Sequence, residues 1–379
     1  MTGTIKEIKR FNSSNEYDST PIGCDAENVD MADGSTLEET ITDLKNKFIV
    51  DSDLSLESEN AVQNKAVMGY VSQLSNPNLL INPDFKINQR GVSGNLANVP
   101  IFIADRWRSH QYVNTVFLDK GIRLTSTQDN NLIHIGQWIE DYKILLGQTL
   151  TASIKYKHSN NTPTKFGFRI MTVESVAYRY VIDLPTCDEM NTIHITTKIP
   201  SIAPNNSEIG YFDIAVECGD SCNNEEWVNA TWGTYNEVSS IDIEWVKLEL
   251  GTIATLFTPP DPSTELVKCQ RYYEIVNTSR VAGFLFSGNG DTRIRLPMKV
   301  TKRVAPTPTI LGDNALSVSG VNEKGAFDNL TLVIDHFQLA KNSVSISSIS
   351  NYAAWQTYGS NNMFGVDTAR DIALDAEIY

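Results

Sequence analysis

The sequence predicts a mainly β protein in which two β regions follow a short helical segment. Between residues 78 and 262, short segments alternate apolar and polar side chains or are rich in β-branched residues, and Asn, Gly and Pro separate them. In one such segment, Leu150, Ala152, Ile154 and Tyr156 fall on the same face. Strands that follow one another at this spacing without intervening helices favour a two-sheet sandwich.

The predicted strands of this sandwich are Lys120–Thr125, Leu150–His158, Lys165–Val173, Tyr178–Ile182, Asn191–Thr197, Tyr211–Glu217 and Ser240–Leu250. Pro259, Pro260 and Pro262 end the sandwich, and Ser263 is expected to cap a hinge helix over 263–274. Further strand patterns lie at 280–286, 292–299, 309–311, 330–337 and 343–349. They predict a smaller C-terminal β domain of unassigned topology, so that the domains are 78–262 and 263–379.

The first 77 residues predict an extended arm, 1–36, followed by short helices, 37–77. Turn-forming residues dominate 21–36, so the arm is expected to become ordered only on a partner. Apolar residues then recur at intervals of four and three, the spacing of a coiled-coil seam. The predicted oligomerisation residues are Leu37, Ile41, Leu44, Phe48, Val67, Val71 and Leu74. Such short helices are unstable alone, so they require either self-association or packing on a neighbouring domain, and the seam alone does not choose between two and three strands.

Composition narrows the class of protein. The 379 residues carry a net charge of −15, and residues 1–77 alone hold 14 acidic and 6 basic residues, a net of −8. A phosphate backbone requires a basic stripe, and none is found, so nucleic-acid binding is not expected. No apolar run approaches the roughly 20 residues of a membrane span, and the N-terminus lacks the apolar core of a secretory signal. We therefore expect neither membrane insertion nor secretion by that route.

Catalytic and metal-binding patterns are weak. The histidines show no metal-binding spacing, and no nucleophile elbow or phosphate-binding loop is found. Cys218 and Cys222 form one isolated pair, which is a poor zinc signal. Asp242 and Glu244 are expected to point outward from one strand, at a separation that glycosidases could use. Solvated acids are nevertheless the ordinary fate of such residues, so we expect no enzyme activity, no cofactor and no metal.

Aromatic residues offer the better binding candidates, because sugars stack their C–H faces on aromatic rings. Trp107 and Trp245 are expected in the core, and Trp138 is expected to pack beside Ile133, Ile135 and Ile139. Two polar, Asn-rich segments contain the remaining candidates. The predicted glycan-stacking residues are Trp227, Trp232 and Tyr235 in the first segment and Tyr352, Trp355 and Tyr358 in the second.

Two stretches carry a resemblance to a known class. Residues 78–108 contain NPDFKINQRG and ADRW, and residues 241–274 contain WVKLELGTIATLF and PPDPSTELVKCQRYYE. These elements resemble the opening and closing strands of β-sandwich modules in bacteriophage tail-fibre and other virion fibre proteins. LSLESENAVQNKAV, residues 54–67, resembles the linker before such modules in fibres of gut phages of the crAss-like type. The resemblance implies a jelly-roll-like sandwich of the carbohydrate-binding-module kind.

The resemblance also implies a role. It suggests a non-enzymatic virion fibre protein, a homotrimer whose arm attaches to other virion proteins and whose β domains adhere to a host surface or its glycans. The alternative is a head-fibre or collar decoration that mainly contacts virion proteins. A polysaccharide depolymerase that uses Asp242 and Glu244 is the least favoured interpretation.

Overall fold

The computed structural model describes residues 10–11, 17–18, 34–47, 75–91, 94–96, 101–110, 113–126, 134–160, 164–218, 224–229, 239–279, 282–285, 291–322, 325–350, 362–367 and 370–377. The chain divides into two compact units, Met1–Ser75 and Asn76–Tyr379.

The N-terminal unit contains a short strand pair and one described helix. Strands β1 (Arg10–Phe11) and β2 (Tyr17–Asp18) pair in antiparallel fashion. Helix α1 (Leu37–Lys47) confirms the first predicted helix. A reciprocal capping box begins it, because the Glu39 N–H donates to Thr36 Oγ1 at 3.1 Å and the Thr36 N–H donates to Glu39 Oε2 at 2.9 Å.

The structure describes only two side chains of the predicted coiled-coil seam, both in this unit. On α1, Leu37 is half-buried and Ile41 is 38% exposed. Leu44 lies in the same helix, but its side chain is outside what the structure describes, as are Phe48, Val67, Val71 and Leu74. Oligomerisation through this seam therefore stays a prediction.

The second unit begins with a jelly-roll-like sandwich of two antiparallel sheets, as predicted. Its strands are β3 (Gly94–Leu96), β4 (Ile101–Ala104), β5 (Trp107–His110), β6 (Val113–Phe117), β7 (Ile122–Ser126), β8 (His134–Trp138), β9 (Thr149–His158), β10 (Thr164–Thr172), β11 (Ala177–Leu184), β12 (Cys187–Lys198), β13 (Ile209–Cys218), β14 (Asn224–Asn229) and β15 (Ser240–Leu250). The seven-stranded sheet has the order β14-β11-β10-β13-β8-β5-β4, and the six-stranded sheet has the order β12-β9-β15-β7-β6-β3. A short 3-10 helix, Tyr142–Leu145, precedes β9.

The core lies between the two sheets. Leu150, Ala152, Ile154 and Tyr156 of β9 are all fully buried, which confirms the predicted alternation. They share one apolar cluster with Phe168 of the opposite sheet. All seven predicted strands are present, Ser240–Leu250 with its predicted ends and the other six with shifted ends, whereas β3, β4, β5, β6, β8 and β14 are additional strands.

A β-bulge corrects the expectation for β15. Ile243 pairs with Tyr156, but the adjacent partner Lys155 pairs with Trp245, so Glu244 is the extra residue. The bulge shifts the alternation, and Val246 rather than Trp245 follows Ile243 into the core. Trp245 is therefore not a core residue: it is half-buried and stacks on the Phe257 ring, with centroids 4.5 Å apart.

The helix after the sandwich is shorter than predicted. Helix α2 (Pro262–Gln270) has Asp261 rather than Ser263 as its N-cap, because the Asp261 carboxylate accepts a hydrogen bond from the Thr264 N–H at 2.9 Å. Pro262 then occupies the first helical position, where its missing N–H costs nothing. A strand begins at Tyr273, so the predicted extension of the helix to 274 is wrong.

The C-terminal strands form a small sheet and a closed barrel. They are β16 (Tyr273–Asn277), β17 (Ala282–Leu285), β18 (Asp291–Arg295), β19 (Thr307–Leu311), β20 (Ala315–Asn322), β21 (Gly325–Ala340), β22 (Ser343–Ser350), β23 (Asn362–Val366) and β24 (Asp371–Asp375). The sheet has the order β16-β24-β19, and the six strands β17-β18-β22-β21-β20-β23 close into a ring. Barrel residues Ile294 and Ile346 share a buried cluster with Ile372 of the sheet. The predicted C-terminal β structure is confirmed, and the structure supplies its topology.

The NPDF and ADRW sequences meet at Asn82, which is fully buried. Its side-chain amide donates to the carbonyls of Ile87 at 2.8 Å and Asp105 at 2.9 Å. Its carbonyl accepts from Trp107 Nε1 at 2.6 Å. Asn82 has a φ of 56°, a left-handed conformation that Asn tolerates better than most residues. These motif residues thus hold the entry loop in one shape, and Trp107 is in the core as predicted.

The same motifs join the sandwich to the C-terminal sheet through charged groups. Arg90 lies 3.1 Å from Asp375, and Arg106 forms an ion pair with Glu377. The Arg106 guanidinium also lies 3.6 Å from the ring centroid of Tyr272. Because Arg106 and Glu377 are almost fully buried, this junction is an interior ionic network rather than a surface contact.

Candidate functional site

The outer face of the seven-stranded sheet carries aligned rows of side chains. In the register of β8, β13 and β10, Trp138 lies opposite Asp213, and Asp213 lies opposite Arg169. The next row across the same three strands consists of small residues, Gly136, Ala215 and Gly167. Because side chains alternate along a strand, both rows point away from the core.

A cavity of about 180 Å³ lies over Gly136. Its lining includes Arg108, His134, Trp138, Arg169, Met171 and Asp213. A Cβ atom at position 136 would lie 2.9 Å from the Ile214 carbonyl oxygen, closer than real Cβ contacts allow. Glycine at this position therefore lets the backbones approach and leaves the cavity floor without a side chain.

A buried ion pair lies at the base of the cavity. Arg169 Nη2 lies 2.5 Å from Asp213 Oδ2, and Arg169 Nε donates to Asp213 Oδ1 at 3.1 Å. Both side chains are more than nine-tenths buried. Burial alone would lower the pKa of Arg169, but the charge and hydrogen bonds of Asp213 raise it above its usual value. Arg169 and Asp213 thus form a bidentate ion pair that is held in a fixed geometry at the base of the cavity.

Trp138 stands in a three-layer stack beside this pair. Its ring lies 5.0 Å from that of Tyr211 at an angle of 19°, and the Arg108 guanidinium lies 4.7 Å from its centroid. Strands β13 and β5 flank β8 on opposite sides, so Tyr211 and Arg108 cover opposite faces of the indole. Trp138 is half-buried on the outer face and not packed beside Ile135 as expected, because Ile135 points into the core. Its ring edge, rather than a ring face, is what remains for a ligand.

A second charged group lies behind the cavity. Glu217 is 2.8 Å from Arg179 and 3.5 Å from the His134 imidazole. All three side chains are almost completely buried on the outer side of the sheet. The cavity therefore has a polar base with fixed charges, although most of the sandwich interior is apolar.

Of the predicted glycan-stacking residues, only Trp227 is described. Its half-buried ring packs 5.8 Å from that of Tyr180, and its indole N–H donates to the Lys198 carbonyl at 3.3 Å. This places Trp227 on β14, at the edge of the sheet opposite the cavity end. The other five, Trp232, Tyr235, Tyr352, Trp355 and Tyr358, lie outside the residues that the structure describes.

The carboxylate pair considered for catalysis is split into two ion pairs. Asp242 binds Arg123 in bidentate fashion, at 2.6 and 2.7 Å. Glu244 lies 2.9 Å from Lys155. Because Glu244 is the bulged residue, the simple outward alternation expected for the pair does not hold.

Within the described ranges, no group of His, Cys, Asp and Glu side chains is arranged to hold a metal ion. The helices of the described part of the chain are all too short or too polar to cross a membrane.

No protein-family model matches the chain. No curated protein matches it either. Among solved structures, the chain is similar to TmCBM61 in complex with beta-1,4-galactotriose, at 12% identity and a TM-score of 0.26, covering 46% of this chain and 99% of that one. It is similar to the tripod from the baseplate of bacteriophage Tuc2009, at 13% identity and a TM-score of 0.29, covering 72% and 90%. It is also similar to the tandem CBM22 domains of Paenibacillus barcinonensis Xyn10C, at 9% and 0.29, covering 79% and 98%. Likenesses this distant carry no inference about what this chain binds.

Proposed function

We propose that the chain is a non-catalytic glycan-binding fibre protein of a bacteriophage virion, and that the cavity over Gly136 is its binding site. The observation that carries the binding role is the juxtaposition, in one cavity, of a buried Arg169–Asp213 pair with the edge of Trp138. The virion role is supported by the NPDF, ADRW and KCQRYYE motifs and their resemblance to phage fibre modules.

The chemistry of the cavity suits a sugar. A sugar ring offers hydroxyl groups that both donate and accept hydrogen bonds, together with apolar C–H groups. Arg169 supplies donors and Asp213 supplies acceptors at one place, while Trp138 and Met171 supply apolar contact. Since Arg169 and Asp213 hold each other in a fixed geometry, little side-chain entropy is lost when a ligand binds.

The carboxylates favour binding over catalysis. Glycoside hydrolysis ordinarily uses two carboxyl groups that flank one bond of the substrate. Asp213 is paired with Arg169, Asp242 with Arg123 and Glu244 with Lys155. Among the described residues that line the cavity, Asp213 is the one carboxylate, so a flanking pair is not found there.

Oligomerisation would strengthen weak sugar contacts. Helix α1 carries a capping box and presents Ile41 partly exposed, as expected of a seam that requires a partner. A trimer built on this seam would display three cavities on one particle arm. Several weak sites on linked arms gain avidity without any single contact being tight.

A second candidate is a head-fibre or collar adaptor that contacts other virion proteins. Exposed aliphatic side chains on neighbouring loops favour it: Ile144 is 74% exposed, Val173 61% and Ile202 57%. Backbone hydrogen bonds between Gly147 and Ile199, and between Val173 and Glu208, hold these loops at one end of the sandwich. Protein contact surfaces typically expose apolar side chains, and these three are candidates for such a contact.

The test is to screen the full-length chain on an array of bacterial surface glycans. Selective binding to a subset of glycans is expected. Binding to none of them, together with binding to isolated phage head or collar proteins, would contradict the adhesion role and favour the adaptor.

A further inference from the structure

A row of small residues crosses the outer face of the seven-stranded sheet, and it would form a groove if it were open to solvent. Gly136, Ala215 and Gly167 lie side by side on β8, β13 and β10, and Val181 of β11 continues the row. Neighbouring strands are about 4.8 Å apart, so an open row of this length would accommodate several units of a linear polymer.

Beyond β8, the row of small residues is buried and is not accessible to a ligand. Ala215 and Val181 are each only 3% exposed, and Gly167 is buried. In the adjacent row, Lys165 is 3% exposed and Glu217 is 1% exposed. A polymer chain therefore has no path across β13 and β10, and the accessible space ends at the Arg169–Asp213 pair.

The accessible side lies at β8 and β5. Trp138 and Arg108 are both half-buried there, whereas Asp213 and His134 at the base are 2% and 4% exposed. The cavity is thus a pit that narrows from partly exposed side chains to fully buried ones. Its volume of about 180 Å³ is below the roughly 300–1,000 Å³ typical of pockets for drug-sized ligands, so it suits a single ring.

The base of the pit retains hydrogen-bonding capacity. The bidentate contact uses two of the roughly five N–H donors of Arg169 and two of about four acceptor sites of Asp213. A ligand that reaches the base therefore meets a donor and an acceptor side by side. Two adjacent hydroxyls of one sugar ring match this arrangement, since each hydroxyl both donates and accepts.

From this geometry we infer that the cavity takes the terminal residue of a glycan, end-on, with two adjacent hydroxyls directed at Arg169 and Asp213. This inference rests on the proposed glycan-binding function and adds that chain ends, rather than internal stretches, are recognised. The remainder of the glycan would leave the pit past Trp138 and Arg108 into solvent.

The experiment measures binding of the full-length chain to free glucose, galactose, mannose, N-acetylglucosamine and N-acetylgalactosamine, and to linear oligomers of each, by calorimetric titration. We expect at least one monosaccharide to bind and its oligomers to bind within about 3-fold of the same affinity, a difference of less than about 0.7 kcal/mol. Met171→Trp, which fills the cavity without removing a charge, should weaken binding by about 10-fold or more. Val173→Trp, an exposed position two residues along the chain, is the matched control and should bind as wild type does.

Three outcomes would overturn the inference, and they differ in what they leave standing. An affinity that rises with each added unit would indicate a groove and leave glycan binding intact. Equal binding by Met171→Trp and Val173→Trp, at unchanged melting temperatures, would place the glycan site elsewhere. Failure to bind every probe here and on the glycan array would remove the proposed function itself.

Discussion

The junction between the sandwich and the C-terminal sheet should make the stability of the protein depend on pH through Asp105. Its carboxylate accepts from the Gln89 N–H at 3.0 Å and from Gln89 Nε2 at 2.5 Å. Burial outweighs these hydrogen bonds and the nearby Arg90 charge, and raises the pKa of Asp105 from 3.8 to about 6. The folded protein therefore binds a proton more tightly than the unfolded chain does.

Proton linkage gives the sign and the size of this dependence of stability on pH. A carboxyl whose pKa is raised in the folded state stabilises the fold fully below pH 4, and this contribution is lost as pH rises from about 4 through about 6. A shift of roughly two pKa units, at about 1.4 kcal/mol each, amounts to about 3 kcal/mol. Asp105→Asn should remove this pH dependence, at the cost of about 1 kcal/mol for one lost acceptor toward Gln89.

The assay is denaturant unfolding of both proteins at several pH values between 4 and 7.5, followed by tryptophan fluorescence. The free energy of unfolding of the wild type should fall relative to that of Asp105→Asn by about 2.4 kcal/mol across this range, because part of the effect is already lost at pH 4. Asp188→Asn, at an exposed position, should follow the wild type and serves as the control. Parallel profiles for the wild type and Asp105→Asn would refute the assignment of a raised pKa to this carboxyl.

Three further predictions follow from contacts described above. Gly136→Ala places a Cβ atom 2.9 Å from the Ile214 carbonyl, so thermal denaturation should show a loss of about 1–3 kcal/mol, and full stability would mean that the strands can separate there. Trp107→Phe removes the indole donor to the buried Asn82 carbonyl, which keeps the Phe85 N–H at 3.2 Å, and should cost about 1 kcal/mol in denaturant unfolding, whereas a neutral effect would contradict the importance of the indole bond. Ile41→Asp puts a charge on the α1 seam, so light scattering should show the proposed trimer becoming monomeric; an unchanged mass would show that other regions associate.

Sequence patterns predicted the sandwich well where strands are long and alternate regularly. Both ends of strand Ser240–Leu250 were predicted correctly, and those of β9 were predicted to within one residue. The reason is that their periodicity extends over ten or more positions. Short strands such as β4 and β5, with four residues each, contain too few repeats to reveal a period. The bulge at Glu244 was also invisible, since a bulge changes the facing of residues without changing their types.

The candidate site was largely missed, although one signal was present. In His134–Trp138, the residues that face outward are His134, Gly136 and Trp138, and this alternation could have placed Trp138 on the outer face. The Arg169–Asp213 pair could not have been found, because the two residues are 44 positions apart and meet only through the pairing of β10 with β13. The predicted coiled-coil stalk and the second aromatic segment stay predictions.

Closure of the C-terminal barrel has a consequence for copies of the chain that are held side by side. Each of its six strands pairs with a neighbour on both sides along at least part of its length, so none of these described strands has an entirely unpaired edge. Crowding raises the chance that exposed strand edges on adjacent molecules will pair with each other and aggregate. A domain whose strands close into a ring can be packed densely and still remain a separate body, because it has no edge strand to offer to another molecule.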